Sequence, residues 1–75
     1  MKLIYQRVRD LREDHDYTQE YVSKKINIAQ TTYSDYEHGL IRIPVELLIK
    51  LAELYDVSMD YICCISNKKT SFPKE

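Results

Sequence analysis

The sequence predicts an all-α fold, an orthogonal bundle of five short helices. Three observations point there. The 75 residues hold one Gly and two Pro, too few for a strand-and-turn architecture. Apolar residues recur at helical spacing in separate short stretches, none long enough for an extended coiled seam. The stretches are joined by only a few residues each, which suits helices that cross one another better than an up-down bundle.

Ile4, Val8 and Leu11 form one stripe of a first helix, expected over Lys2 to Asp14 and ended by the acidic run Glu13-Asp14-His15-Asp16. Thr18 is a good N-cap for a second helix, Thr18 to Lys25, with Tyr21, Val22 and Ile26 turned inward. Asn27 follows, where the chain must turn sharply. Asn tolerates a left-handed backbone, so it can close this helix, with Ile28 adding an apolar contact. The third helix is expected over Ala29 to Glu37, with Gly39 just past its end. On a wheel of about 100° per residue, Gln30, Thr31, Ser34, Asp35 and His38 share one side, and Ala29, Tyr33 and Tyr36 the other.

Pro44 fits the first turn of a fourth helix, Val45 to Tyr55, whose wide apolar face (Leu47, Leu48, Leu51, Ala52, Leu54, Tyr55) makes it the spine of the core. Asp56-Val57 is a break. Ser58 then caps a fifth helix from Met59 to about Cys64, with Asp60 near its positive end. The expected organisation is one domain over residues 1–65 and a frayed polar tail over 66–75.

Composition narrows the function classes. No run of about 18 apolar residues could span a membrane. No signal peptide is visible, so the expected location is the cytoplasm. Cys63 and Cys64 are adjacent, where bridging is strained, and no second pair completes a disulfide framework or a zinc site; reduced thiols are expected, one of them buried. No nucleophile–base pair, metal cluster or phosphate loop appears, so neither an enzyme, a cofactor nor a small-molecule substrate is expected. His15 and His38 have no Cys or carboxylate at metal-ligand spacing and are expected at the surface. Residues 1–65 hold eight basic and eleven acidic side chains, a net of −3, so any electropositive footprint must be local.

The ordered set Leu11-Arg12, Thr18-Gln19, Ile26, Ser34, Glu37, Gly39, Arg42, Pro44, Leu48-Ile49-Lys50-Leu51-Ala52 and Val57-Ser58-Met59-Asp60-Tyr61 resembles the Cro/repressor, or XRE-type, family of helix-turn-helix domains over residues 3–63. The resemblance implies a lambda-repressor-like bundle. It places base-reading positions on Gln30, Thr31, Ser34 and Asp35. It places phosphate contacts on Gln19, on Arg42 and on the first backbone N–H groups of the fourth helix. Lys24 and Lys25 would add charge. Arg12 and Glu37 match a pair that bridges the first and third helices in relatives, with Arg12 a further phosphate candidate.

The chemistry suits these positions. Gln pairs bidentately with adenine N6 and N7, and Ser or Thr bonds either base type. Phosphate contacts hold register without reading sequence. Three positions depart from the family pattern: Asp35 stands where Arg or Lys is frequent, Asn27 replaces a turn glycine, and Ser23 replaces a small alanine. From periodicity alone, Gln30, Thr31 and Ser34 could equally be a solvated helix face.

The expected function is therefore that of a sequence-specific DNA-binding transcriptional regulator of repressor type. It would bind double-stranded DNA as a homodimer on an inverted repeat, with no membrane partner. Met59, Tyr61, Ile62 and Ile65 either close the core or form the dimer interface. The alternative is a protein-interaction module of the same fold, antitoxin-like, which the acidic balance and Asp35 favour.

Overall fold

Helix α1 spans Ile4–Asp14, α2 Gln19–Lys25, α3 Gln30–Glu37, α4 Val45–Tyr55 and α5 Met59–Ile62. This computed structural model describes residues 2–73. The predicted helices are all present, and no strand occurs among the described residues. The radius of gyration, 11.4 Å, is that of a folded single unit, for which about 11 Å is expected at this length.

One device ends every helix. The residues just past the five helices, Asp16, Asn27, Gly39, Asp56 and Cys64, all take positive φ, between 52° and 71°. At each end one N–H reaches back three residues and the next reaches back five. Examples are Asn27 N–H to Lys24 O at 3.2 Å with Ile28 N–H to Ser23 O at 2.9 Å, and Gly39 N–H to Tyr36 O at 3.2 Å with Leu40 N–H to Asp35 O at 3.0 Å. This is the Schellman arrangement, which satisfies carbonyls that the helix leaves open. An apolar or aromatic residue follows each left-handed position: Tyr17, Ile28, Leu40, Val57 and Ile65. With one Gly in the chain, Asp and Asn take most of these places, the residues that tolerate this backbone best after Gly.

The starts follow the expected chemistry, with small shifts. Thr18 and Ser58 cap α2 and α5 by accepting from Tyr21 N–H at 3.0 Å and Tyr61 N–H at 3.1 Å. Helix α1 begins two residues later than predicted, where the Gln6 side chain accepts from Leu3 N–H at 3.0 Å. Pro44 sits at the N-cap of α4, one position before the predicted first turn, and its carbonyl receives the N–H groups of Leu47 and Leu48. Helix α5 stops at Ile62, and the two cysteines form its terminal turn.

Val8, Leu11, Val22, Ile26, Tyr33, Leu51, Ala52, Val57 and Ile62 are almost wholly buried in one core. Each large aliphatic among them contributes about 1.5–3 kcal/mol on burial. Helix α3 packs on α1 and α2, while α5 packs on α1 and α4. Two inward assignments change. Ile4 is exposed, because the inner place near the start of α1 belongs to Arg7, three residues on along the same stripe. Tyr21 is exposed as well: Val22, Ser23 and Ile26 fill the inward face of α2, and the Tyr21 ring meets that of Tyr17 at a tilt, with centroids 4.5 Å apart.

Arg7 is 5% exposed and ties the ends of the chain together. Its Nη1 donates to Tyr61 O at 3.0 Å, its Nη2 donates to Asn67 Oδ1 at 3.1 Å, and the guanidinium lies 4.1 Å from the centre of the Tyr61 ring. The segment after α5, expected as a loose tail, makes further contacts. Ser58 N–H donates to Thr70 O at 2.9 Å, Phe72 N–H donates to Asp56 Oδ1 at 3.2 Å, and the Phe72 ring rests half-buried against the core. Lys74 and Glu75, the end of the expected tail, lie outside the described residues.

Candidate functional site

The α2–turn–α3 unit is held by a buried polar hub. Glu37, 1% exposed at the end of α3, receives Arg12 Nε on Oε2 at 2.7 Å and Arg12 Nη2 on Oε1 at 3.1 Å. Gln19 Nε2 also donates to Glu37 Oε1, at 3.2 Å, and Arg12 Nη1 donates to Tyr17 O at 2.9 Å. One carboxylate thus fixes α1, the start of α2 and the end of α3 relative to each other. Burial raises the Glu37 pKa, but Arg12 first, then the nearby Tyr33 hydroxyl and Gln19, outweigh it and hold the carboxyl below its ordinary value. The bond to Glu37 raises the Arg12 pKa in turn, against a smaller loss from burial.

Beneath this hub, Tyr33 and Tyr36 seat α3 on the core. Both the Tyr33 and Tyr55 hydroxyls are buried without a partner at hydrogen-bond geometry. Burial, and then the nearby Glu37 carboxylate, raise both phenol pKa values well above the ordinary tyrosine range.

With α3 seated this way, Gln30 and Thr31 are exposed, while Ser34 and Asp35 are half-buried on the same helix. The Ser34 Oγ lies 3.4 Å from His38 Nδ1, and the Ser34 carbonyl accepts from that nitrogen at 2.7 Å. No residue of α3 is basic. Ala29 offers no side-chain cap, so the first N–H groups of α3 have no acceptor from that residue.

The cations considered for phosphate contact lie off α3, Lys24 and Lys25 in the last turn of α2 and Arg42 in the loop before α4. Lys24, Lys25 and Arg42 are exposed, with Lys25 Nζ 5.4 Å from the centre of the Tyr21 ring. Gln19 is half-buried and already engaged, but one Nε2 hydrogen and Oε1 stay available. Arg12 spends three of its five N–H groups inside the fold.

The four residues considered for a dimer interface separate. Ile62 is fully buried in this chain's own core and cannot face a second copy. Met59 and Tyr61 pack against that core, and Arg7 covers Tyr61. Ile65 is 76% exposed. Sequence reasoning missed Arg7 altogether, although a cation on the Ile4–Val8–Leu11 stripe was a signal that a buried partner awaited it.

Cys63 and Cys64 are free and both half-buried, where one buried thiol was expected. Burial pushes the Cys63 thiol up, which disfavours the reactive thiolate. Among the described residues, no three His, Cys, Asp or Glu side chains gather to hold a metal ion. No described helix is long and apolar enough to cross a membrane.

Residues 8–62 match the family model described as Helix-turn-helix. The chain is 47% identical over 57 residues to the uncharacterized HTH-type transcriptional regulator YobD of Bacillus subtilis (strain 168), an alignment covering 76% of this chain and 51% of YobD. The chain thus spans about half the length of that relative. Among solved structures, its fold is similar to the SinR master regulator for biofilm formation in complex with DNA, with a TM-score of 0.72, 26% identity, and coverage of 80% of this chain and 97% of that one. It is also similar in fold to the P22 c2 repressor in complex with a synthetic operator, with a TM-score of 0.75, 22% identity, and coverage of 83% and 94%.

Proposed function

Since the chain belongs to the helix-turn-helix family, we propose that it is a sequence-specific DNA-binding transcriptional regulator, with α3 entering the major groove. The observation that carries this reading is the Arg12–Glu37–Gln19 hub. It locks α2 and α3 together while leaving Gln30 and Thr31 at the surface. The relatives' names, all transcriptional regulators or repressors, agree with it.

Gln30 and Thr31 read base edges first, and Ser34 and Asp35 complete the reading surface. Asp35 can accept from cytosine N4. Arg42, Lys24 and Lys25 grip phosphates, and Gln19 adds its free N–H. The Val45 and Glu46 amides, which have no carbonyl one turn behind them, offer N–H groups to another phosphate. Arg12 acts chiefly inside the fold. Because α3 supplies no cation, useful affinity needs two copies on an inverted repeat, with recognition helices about 34 Å apart. Repression by occupying a promoter is the simplest regulatory output, and the cytoplasm is the compartment where it would act.

The second reading, a protein-interaction module with weak DNA affinity, is favoured by the net −3 of residues 1–65 and the carboxylate of Asp35 on the reading face. Selection from a random DNA pool distinguishes the two. Recovery of a symmetric motif, with affinity that falls steeply as salt rises, supports the DNA reading. A pool that never enriches at low salt favours the second.

A further inference from the structure

An apolar groove of about 440 Å³ opens beside the loop between α3 and α4. Ile4 and Tyr5 of α1, Leu40, Ile41 and Ile43 of the loop and Leu48 of α4 line it. Arg42 is the one charged residue of this lining. Gly39 belongs to it too, and its missing side chain matters: a Cβ there would stand 2.8 Å from Tyr5 Cε1. Glycine thus lets the Tyr5 ring lie flat against the loop.

Large apolar side chains cluster around the opening in place of the polar cover usual at a protein surface. Leu40 is 71% exposed, Ile4 and Ile41 are exposed as well, and Val45 and Ile49 continue the patch on the α4 face beside Leu48. Grouped exposure of this kind marks a binding surface, unlike scattered single residues. The groove also has the size and composition of a small-ligand site, mostly apolar with one polar anchor. Among the described residues, no ion pair or side-chain hydrogen bond engages Arg42.

We propose that this groove binds a small amphiphilic anion, with its hydrocarbon part against Ile4, Leu40, Ile41 and Leu48 and its carboxylate on Arg42. Charge complementarity decides the occupant. A carboxylate pairs with the exposed guanidinium, a cationic amphiphile is repelled by it, and an uncharged hydrocarbon gains nothing from it. The consequence rests on the proposed DNA-binding function. Arg42 is also the phosphate-gripping cation of the loop, so a bound anion removes one phosphate contact and weakens DNA binding. A single domain of this size would then carry its own effector site.

The test uses the full chain and three probes, decanoate, decanol and decyltrimethylammonium, each below its micelle concentration. Backbone amide NMR shifts are followed without DNA. The expected result is saturable one-to-one binding of decanoate with shifts centred on Tyr5, Gly39, Leu40 and Ile41, about fivefold tighter than decanol. Arg42→Gln should bring decanoate down to the decanol level. Leu40→Asp, which puts a carboxylate on an exposed rim position away from the core, should weaken decanoate more than decanol. Equal binding of all three probes, indifference to Arg42→Gln, or shifts that never saturate or lie elsewhere overturns the site.

A separate gel-shift arm then adds decanoate to the protein–DNA complex. DNA release that follows the decanoate saturation curve supports the coupling, and unchanged DNA retention at full decanoate occupancy overturns it. A chain that binds decanoate but retains no DNA at low salt leaves the groove standing and removes the DNA reading alone.

Discussion

Arg12 and Glu37, 25 residues apart, meet through two hydrogen bonds, Nε to Oε2 at 2.7 Å and Nη2 to Oε1 at 3.1 Å, and so close α1 onto the last turn of α3. The pair is desolvated on the Glu37 side, so it acts mainly by making its own disruption costly. Arg12→Met strands a buried carboxylate and should cost about 3–5 kcal/mol. Replacing both residues by Met should recover part of that loss, since two apolar groups leave no buried charge unpaired. Urea unfolding of the two variants and the wild type measures both effects.

The same pair sets an acid limit on stability. The folded Glu37 pKa lies below its ordinary value, so its contribution is fully present above about pH 4.3 and is lost as pH falls through the lowered folded value. Thermal unfolding of the wild type should therefore weaken below about pH 4, and Glu37→Gln should flatten that part of the profile while lowering stability at pH 7. At the other extreme, the buried phenols of Tyr33 and Tyr55 ionise in the unfolded chain before they do in the folded one. Stability should be complete below about pH 10 and decline above it, and Tyr33→Phe should soften the decline at little cost near neutrality.

Gly39 has two separate reasons to be glycine, a φ of 71° and the Tyr5 ring where a Cβ would stand. Gly39→Ala should lower stability by about 1–3 kcal/mol. Combining it with Tyr5→Ala should leave only the backbone part of that penalty. Melting temperatures of the two single variants and the double variant separate the steric share from the conformational one.

Arg7 should matter more to the carboxyl-terminal region than its place in α1 suggests. Arg7→Met keeps the aliphatic stem but removes the donors to Tyr61 O and Asn67 Oδ1. The expected loss is about 1.5–3 kcal/mol, the value of a hydrogen bond from a charged group. Amide exchange should locate it: the N–H of Ser58, which donates to Thr70 O, and those of α5 should lose protection before the N–H groups of α3.

How far the sequence could be read depended on whether a signal was local. Helix ends were legible where Asn27 and Gly39 announced a left-handed backbone, and the Asp56-Val57 break was read without foreseeing that Asp56 takes the same conformation. Cys64, at φ 64°, gave no such warning, because cysteine has no marked preference for that region. The outward position of Gln30 and Thr31 followed from periodicity alone. The Arg12–Glu37 contact needed the family resemblance, since two charges 25 residues apart carry no local sign of meeting. Tyr21 and Ile4 were misplaced because each lies at the margin of a stripe that is otherwise buried as expected, and the polar residues Ser23 and Arg7, which periodicity does not count, fill the inner places. The contacts of Arg7 with Tyr61 and of Phe72 with Asp56 and the core stayed hidden because polar segments give no periodic pattern.

The DNA reading separates two kinds of residue that a single affinity measurement would confuse. Gln30 is exposed at the start of α3 and makes no contact that the fold needs. Gln30→Ala should therefore leave the melting temperature unchanged. It should cost about 1–3 kcal/mol of binding at one base position and relax preference there. Arg42 is equally exposed but lies in the loop, so Arg42→Ala should weaken binding to every sequence alike and reduce the slope of log affinity against log salt by about one. Binding of both variants to a set of singly substituted sites, at several salt concentrations, reads the two signatures together. A sequence-selective loss in Arg42→Ala, or unaltered preference in Gln30→Ala, would mean that α3 does not lie along the base edges and that the exposed face of this helix serves a protein partner instead.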